Sequence, residues 1–364
     1  MSYLLAFLGF AALIILHEAG HFVAAKAVGM RVERFSLFFG PLLIKRKWGE
    51  TEYGIGPIPL GGYVKITGMN PNEDIPPEVL PRAYYNQKVW KRVVTILAGP
   101  AVNLAIAFLI VVGLLLSQGR QETTASGQPV YSRQVESVGA PASSVLKLGD
   151  TVVAVDGRRG LTVPQITAQI AGHRCAGTPV EGCVATTPVR LTVRRGQTLQ
   201  TVAIRPRYSA ANRRVLVGIG FGPQLTSVGV ASAASRSVSY MWFVTSRTVS
   251  TIAHIFQPQE RRQLHSVVGS YEYTQKSFAR SPSLALQVLA LISLSLGVIN
   301  LFPFLPLDGG HVFWAVAEKI RGRRIPFSVM ERAGVVGFAL IIMVFLIGLS
   351  NDISTLAGPG FNVR

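Results

Sequence analysis

Four long apolar runs, separated by polar segments, dominate the hydropathy pattern of the chain. They cover residues 3–25, 93–117, 284–307 and 334–350. About 20 apolar residues in a helix cross the roughly 30 Å of bilayer hydrocarbon, so the first three runs are long enough and the fourth is near the lower limit. The pattern predicts a polytopic α-helical membrane protein with about four transmembrane helices.

The region between the second and third runs has a different pattern. From residue 121 to 207, short β-like runs alternate with turn signals, and one short helical pattern begins at Val163. This predicts an inserted α+β domain. Within it, residues 135–142 and 148–157 resemble a PDZ domain of the bacterial protease type. Such a domain binds an extended peptide at a sheet edge; alternatively, it only packs on the membrane core as a spacer or lid.

These patterns divide the chain into four parts. Residues 1–118 form the first part of the membrane core, residues 119–210 the PDZ-like domain, and residues 284–364 the second part of the core. Residues 211–283 form a linker, which contains a stretch with apolar positions at helical spacing. We expect this stretch to be an amphipathic helix at the membrane interface.

A turn-rich segment, Tyr53–Thr67, follows the first apolar run. Its apolar residues, prolines and glycines predict a short membrane-associated β-hairpin that dips back toward the bilayer. Non-helical backbone survives at that depth only when it packs on protein or lines a cavity. The alternative is an ordinary cytoplasmic hairpin, and periodicity alone does not separate the two.

Composition and charge distribution support a membrane protein. Hydrophobic residues make up 49% of the chain, charged residues only 15%, and the formal net charge is +18. Residues 26–92 hold eleven Lys and Arg, and residues 303–333 hold five. The positive-inside rule therefore predicts that both loops are cytoplasmic, and that the two termini and the PDZ-like domain are extracytoplasmic. Contact with anionic lipid is a secondary role for this charge. Because the region 118–283 has no basic stripe interleaved with aromatic residues, nucleic acid is not an expected partner.

The only two cysteines, Cys175 and Cys183, flank a loop that contains glycine and proline. The predicted topology puts them outside the cytoplasm, where a disulfide is stable. We expect a disulfide, with two free thiols as the alternative. They lack the tight paired spacing of structural zinc sites.

The strongest chemical signal is His17-Glu18-Ala19-Gly20-His21, which interrupts the first apolar run. Histidines at i and i+4 lie on one face of a helix and can bind one zinc ion, and the adjacent Glu18 can act as general base. A cleaved signal peptide needs a basic n-region, whereas no Lys or Arg precedes Lys26. Ionisable residues in a membrane helix indicate a functional site, here that of an intramembrane zinc hydrolase.

A catalytic zinc site usually has three protein ligands and one open position. The best candidate for the third ligand is Asp308, at the end of the third apolar run, where prolines and Gly309-Gly310 break the helix. His311, three residues further on, is the rival candidate. In the predicted topology the histidines and Asp308 lie at a similar depth, in the cytoplasmic half of the membrane.

The motifs together resemble the site-2 protease family of intramembrane metalloproteases. The resemblance rests on the HEAGH motif, on residues 98–103 (AGPAVN) and on residues 300–311 (NLFPFLPLDGGH), and it covers nearly the whole chain. More narrowly, the chain resembles the bacterial regulator-of-sigma-E protease branch, which has a PDZ domain between its second and third helices. The resemblance implies one zinc ion per chain and a bacterial cytoplasmic (inner) membrane location.

The resemblance also implies roles for individual residues. It makes His17, His21 and Asp308 the zinc ligands and Glu18 the base. The segment 54–67, with Gly61 and Gly62, matches a membrane-reentrant hairpin that presents the substrate as an added strand. Asn300 matches an asparagine that holds the substrate strand, although an asparagine there also serves as a helix–helix hydrogen bond. Asn103 is expected to be structural.

The expected function is an intramembrane zinc endopeptidase that cleaves transmembrane segments, such as those of anti-sigma factors or signal-peptide remnants. A peptide C-terminus is a further expected partner, at the PDZ-like domain. Two other functions remain open. An intramembrane metal transporter would use the same ligands without needing Glu18 as base, and a non-catalytic PDZ adaptor would need no zinc.

Overall fold

The computed structural model describes residues 2–70, 72–124, 126–255, 257, 259 and 266–358. Its contacts divide the chain into two compact units. One unit comprises Met1–Leu114 together with Gly229–Arg364, and the other is Leu115–Val228. The second unit is thus inserted into the sequence of the first.

The first unit contains four helices that are long and apolar enough to cross a membrane. They are α1 (Ser2–Ala27), α2 (Val89–Gln118), α6 (Pro282–Asn300) and α8 (Phe327–Ala357). Large apolar side chains on them stay exposed, for example Leu109 at 65% and Val335 at 67%. An aqueous surface would not favour this exposure, whereas lipid does. The predicted class, with about four membrane helices, is confirmed.

The third helix ends earlier than the apolar run that predicted it. The run continues to residue 307, but α6 ends at Asn300. Pro303 and Pro306 follow within a chain of turns, and a new helix, α7 (Asp308–Arg321), begins at the aspartate. Proline lacks a backbone N–H and clashes with the preceding helical turn, so the apolar run does not continue as one helix.

A four-stranded sheet lies between α1 and α2 in the sequence. Its strands are β1 (Val32–Phe39), β2 (Ile44–Trp48), β3 (Thr51–Ile55) and β4 (Ile58–Ile66), in the order β2-β3-β1-β4. Strand β1 pairs parallel to β3 and antiparallel to β4, while β2 and β3 form a hairpin. Strand β4 is therefore one edge of the sheet.

The predicted hairpin over residues 54–67 is wrong. The two strands that this segment contributes, β3 and β4, do not pair with each other, because β1 lies between them. Aromatic packing stabilises this central position: the ring of Phe35 on β1 lies 5.5 Å from that of Phe22 on α1, and the ring of Tyr53 on β3 lies 5.8 Å from Phe22. The Phe22 ring thus packs on two neighbouring strands, β1 and β3.

Two further helices of this unit lie in the segment assigned to the linker, α4 (Val230–Ala253) and α5 (Val267–Arg280). On α4, Met241 and Val244 pack against an apolar cluster that includes Leu294 and Val298 of α6. The helix thus contacts an apolar membrane-length helix directly. Its predicted position at the membrane interface stays a prediction.

The second unit is a small α+β domain. Its strands are β5 (Arg120–Gln121), β6 (Tyr131–Val138), β7 (Thr151–Val155), β8 (Arg158–Arg159), β9 (Val189–Arg195), β10 (Thr198–Ile204), β11 (Arg207–Ser209), β12 (Arg214–Leu216), β13 (Ile219–Pro223) and β14 (Leu225–Thr226). The main sheet has the order β10-β9-β7-β6-β13, with β8 beside β7. One helix, α3 (Val163–Ala171), buries Ile166 and Ile170 in the core of this unit.

The domain extends beyond the predicted boundary at residue 210. Strands β12, β13 and β14 lie in the part of the chain assigned to the linker, and β13 pairs with β6 in the main sheet. Cys175 and Cys183 are joined by a disulfide, with their Cα atoms 6.2 Å apart. The predicted PDZ-like identity of the domain stays a prediction.

A buried carboxylate just before β7 binds the last residue of β9. Asp150 is 1% exposed and accepts hydrogen bonds at 2.6 and 2.8 Å from the guanidinium of Arg195, and a third at 2.9 Å from the backbone N–H of Lys147. The Arg195 guanidinium holds the pKa of the Asp150 carboxyl below its usual range, although burial opposes this. The charged form of Asp150 therefore stabilises the folded unit.

We expect Asp150→Asn to lower the free energy of unfolding of this unit by about 1.5–3 kcal/mol at pH 7, the usual range for a hydrogen bond to a charged group. Because the folded pKa lies below the unfolded value of about 3.9, this stabilisation is present above that value and is lost as the pH falls through the lowered pKa. Hydrogen exchange over residues 115–228 at pH 7 measures the first effect. Thermal unfolding followed by circular dichroism from pH 7 to pH 3 measures the second.

Glu136→Gln is the matched control, because Glu136 is an exposed carboxylate in the same unit. It should change protection by less than about 0.5 kcal/mol. Equal protection in Asp150→Asn and wild type would contradict the stabilising role of the Asp150 charge.

Candidate metal centre

Three potential ligand atoms from two distant parts of the sequence meet inside the first unit. Residues 17 and 21 lie one turn apart on α1, and their Nε2 atoms are 3.2 Å apart. The Oδ2 atom of Asp308, the first residue of α7, lies 3.2 Å from His17 Nε2 and 3.3 Å from His21 Nε2. Both histidines are buried, each 7% exposed. These three residues form a group able to hold a metal ion.

The spacing of the three atoms fits a tetrahedral metal site. Metal–ligand distances of about 2.0–2.1 Å around zinc give a tetrahedron with edges of roughly 3.3–3.4 Å, close to the separations observed here. The buried Oδ2 atom of Asp308 has no hydrogen-bond donor. Lone pairs of neutral imidazoles and a carboxylate repel one another at this distance, and a shared cation would remove that repulsion. The residues therefore fit a zinc ion.

Helix α2 orients both histidines from behind. The Nδ1 atom of His21 lies 2.9 Å from the backbone carbonyl oxygen of Thr95. Because a carbonyl only accepts, His21 Nδ1 carries the hydrogen, and its Nε2 lone pair is directed toward Asp308. Bonds of this kind fix the tautomer and orientation of metal-binding histidines.

The side-chain amide of Asn103 contacts the other histidine. Its Nδ2 lies 3.0 Å from His17 Nδ1, while its Oδ1 is buried without a partner. Rotating the amide by half a turn would let Oδ1 accept the Nδ1 hydrogen of His17, the tautomer needed for metal binding through Nε2. This rotation would also satisfy the orphaned oxygen. Asn103 was expected to be structural, and its place behind His17 gives it a specific contact.

A glycine makes room for this packing. At Gly99 on α2, an added Cβ would overlap the imidazole ring of His21, including its Nε2 atom. Where the same two helices approach, a Cβ at Gly20 would lie 2.6 Å from the carbonyl oxygen of Ala98. The glycines let α1 and α2 approach closely enough for the hydrogen bonds of Thr95 and Asn103 to form.

Glu18, the predicted base, lies between α1 and the sheet. A Cβ added at Gly62 on β4 would come within 3.0 Å of Glu18 Cγ, so this strand passes directly beside the glutamate. The structure thus brings one of the two predicted hairpin glycines next to the predicted base. Its neighbour Gly61 faces the ring of Phe39 instead.

The remaining predicted residues lie at different distances from the cluster. His311, the rival third ligand, is outside the metal-binding group formed by the described residues. Asn300 is the last residue of α6, and the turns of residues 301–307 separate it from Asp308. The contribution of Thr95 went unpredicted because it acts through its backbone carbonyl, which leaves no signal in residue identity.

Two histidines, a carboxylate and an adjacent glutamate, set among membrane-length helices, define the class of membrane metallohydrolases. A comparison with family models places the chain more narrowly: the model described as Peptidase family M50 matches residues 5–344. The chain belongs to peptidase family M50. This confirms the site-2 protease resemblance that the motifs predicted.

Several relatives match almost end to end. A candidate zinc metalloprotease from Campylobacter jejuni is 30% identical over 95% of this chain and 91% of its own length. Another from Clostridium acetobutylicum is 27% identical over 96% of both chains. Zinc metalloprotease Rip1 of Mycobacterium tuberculosis is 30% identical over 85% of this chain and 83% of its own length. At the level of the family, the predicted zinc-dependent peptidase is confirmed.

We expect Gly99→Ala to weaken zinc binding about tenfold or more, because the new methyl group displaces the His21 imidazole; loss of outer-shell support typically costs that much. Competition with a chromophoric zinc chelator in detergent measures the dissociation constant. Gly113→Ala is the matched control on the same helix, since its Cβ would meet no atom within 4 Å. Equal zinc affinity in the two variants would contradict the packing role of Gly99.

Proposed function

We propose that this protein is an intramembrane zinc endopeptidase that cleaves transmembrane segments of other membrane proteins. The observation that carries the proposal is the convergence of His17, His21 and Asp308 to ligand spacing, beside Glu18, among membrane-length helices. Membership of peptidase family M50 supports the reaction type.

In the proposed site, His17, His21 and Asp308 hold one zinc ion. When bound, zinc acidifies a coordinated water and polarises the scissile carbonyl group. Glu18 accepts the proton of the attacking water at its carboxylate and later returns a proton to the leaving amine. Thr95 and Asn103 keep the imidazoles in the orientation that this chemistry needs.

Strand β4 is the proposed docking edge for the substrate. It has a neighbour, β1, on one side only among the described strands, and it passes Glu18 at Gly62. A transmembrane helix must unwind locally before its backbone can be cleaved, and pairing with a sheet edge satisfies the freed backbone groups. Asn300 is proposed to hold the same substrate strand from the end of α6, and Gly61 and Gly62 keep the edge free of side chains.

The basic loops support a location in the bacterial cytoplasmic membrane. With residues 26–92 and 303–333 in the cytoplasm, both termini and the inserted domain lie outside, and the metal centre lies toward the cytoplasmic half. In this arrangement the inserted domain, with its disulfide, meets extracytoplasmic partners, and a peptide C-terminus is the proposed ligand of a PDZ-like groove. Anti-sigma factors and signal-peptide remnants are the proposed substrate classes.

The role of Glu18 distinguishes the proposed peptidase from the two alternative functions. A metal transporter needs the three ligands but no general base, and a PDZ adaptor needs neither. A general base typically increases the rate of such a reaction by a factor of roughly 10²–10⁴.

We therefore expect Glu18→Gln to lower the cleavage rate of a model transmembrane substrate by 10²-fold or more while the zinc content stays at one per chain. The amide keeps the shape of the side chain but cannot accept the proton. Purified protein in detergent, a gel-based cleavage assay and metal analysis of the same samples measure both quantities. Glu331→Gln, at an exposed position on α8, serves as the control and should match wild type. Equal cleavage by Glu18→Gln and wild type would refute the proposed base.

A further inference from the structure

Asp308 differs from the two histidines in how it is supported. Thr95 and Asn103 contact the second ring nitrogen of each histidine, whereas Oδ1, the second carboxylate oxygen of Asp308, takes part in none of the hydrogen bonds of the described residues. The carboxylate therefore depends on the placement of its helix, α7. Because α2 also contacts His17 and His21, the contacts that hold α7 against α2 set the position of Asp308 relative to the two histidines.

A buried ion pair joins these two helices. Arg92 Nη2 on α2 donates to Glu318 Oε2 on α7 at 2.6 Å, and the two side chains are only 10% and 13% exposed. Arg92 lies one turn before Thr95 in the sequence of α2, and Glu318 lies ten residues, or about 15 Å of helix, beyond Asp308. The pair thus clamps the far end of the helix whose first residue is the ligand.

Neighbouring contacts make the clamp specific to this geometry. The Arg92 guanidinium lies 5.8 Å above the ring of Tyr84, and Glu318 Oε1 accepts a hydrogen bond at 3.3 Å from the backbone N–H of Ile325. Val312 of α7 packs on the same apolar cluster as Tyr84. Helix α7 therefore packs on an aromatic and apolar surface. The charged contact there, between Arg92 and Glu318, fixes the position of α7 along that surface.

We propose that Arg92 and Glu318 are positioning residues for the metal centre, which hold α7 so that Asp308 meets His17 and His21. The inference rests on the proposed function. A buried ion pair is weak evidence for stability, because apolar replacements of similar volume often keep or raise it. A better-documented role of a buried pair is to select one relative position of two packed helices. The Nε of Arg92 is buried without an acceptor, so the pair forms although it leaves one donor unsatisfied.

The test is the zinc affinity of full-length protein in detergent, measured by chelator competition. We expect Arg92→Met and Glu318→Gln each to weaken zinc binding about tenfold or more, comparable with loss of an outer-shell partner. The exchanged pair, Arg92→Glu with Glu318→Arg, should recover at least part of the zinc affinity that Arg92→Glu and Glu318→Arg each lose alone. A double-mutant cycle over these three variants and wild type quantifies the recovery. Peptidase activity of the single variants should rise toward wild type when zinc is raised to saturation, with little change in KM for the substrate.

The Arg82–Glu50 pair provides the matched control. It is also an ion pair of the first unit, between residues that lie between α1 and α2 in the sequence, and it has two 2.7 Å contacts. Arg82 and Glu50 are more exposed, at 44% and 29%, and neither residue belongs to α7. Arg82→Met should leave zinc affinity within twofold of wild type. Circular dichroism and size-exclusion chromatography establish that every variant compared is folded, and Arg92→Lys replaces Arg92→Met if the latter fails to fold.

The outcomes separate this inference from the proposed function. Wild-type protein that binds no zinc refutes the metal centre itself. Wild-type zinc binding with unchanged affinity in folded Arg92 and Glu318 variants overturns only the positioning role. Activity lost in these variants but not restored by zinc or by the exchanged pair also overturns it, because it would indicate a general structural role.

Discussion

The structure depends on three lone-pair donors that meet within 3.3 Å inside an apolar helix bundle. Taken alone, His17, His21 and Asp308 are expensive to bury there, because each loses its water and repels the other two. A shared cation would replace that repulsion with three metal–ligand bonds. Much of the surrounding packing follows from the need to bring residues 17 and 308 together and to keep their lone pairs convergent.

Helix α2 makes most of the contacts that hold these residues in place, although none of the three lies on it. Along one face it presents Arg92, Thr95, Gly99 and Asn103, each of which is buried. Spacings of three and four residues keep these positions on one side of a helix. Thr95 and Asn103 contact the ligands of α1, Gly99 leaves space for one of them, and Arg92 reaches α7. One helix thus connects the two halves of a centre whose ligands are nearly 300 residues apart.

Sequence reasoning found the features whose chemistry resides in residue identity. The histidine pair, Glu18 and Asp308 are conspicuous because charge is rare in apolar runs, and the four membrane helices follow from hydropathy alone. It failed where the pairing of strands depends on tertiary contacts. Residues 54–67 contain two strands joined by glycines and prolines, which is typical of a hairpin, but the partner of both is β1, whose aromatic residues pack on α1. The backbone support from Thr95 leaves no trace in the sequence at all.

The space beside Glu18 argues that the centre is built for hydrolysis rather than for holding a metal alone. A Cβ at Gly62 would lie 3.0 Å from both the Glu18 Cγ and the carbonyl oxygen of Ser36, so a larger residue there would force these neighbours to move. Neither metal binding nor the packing of α1 requires that approach. A reaction that needs a carboxylate between a metal ion and an extended backbone does require it. The proposed docking of a peptide along β4, with Glu18 as the proposed base, would account for the edge strand, the glycine and the glutamate together.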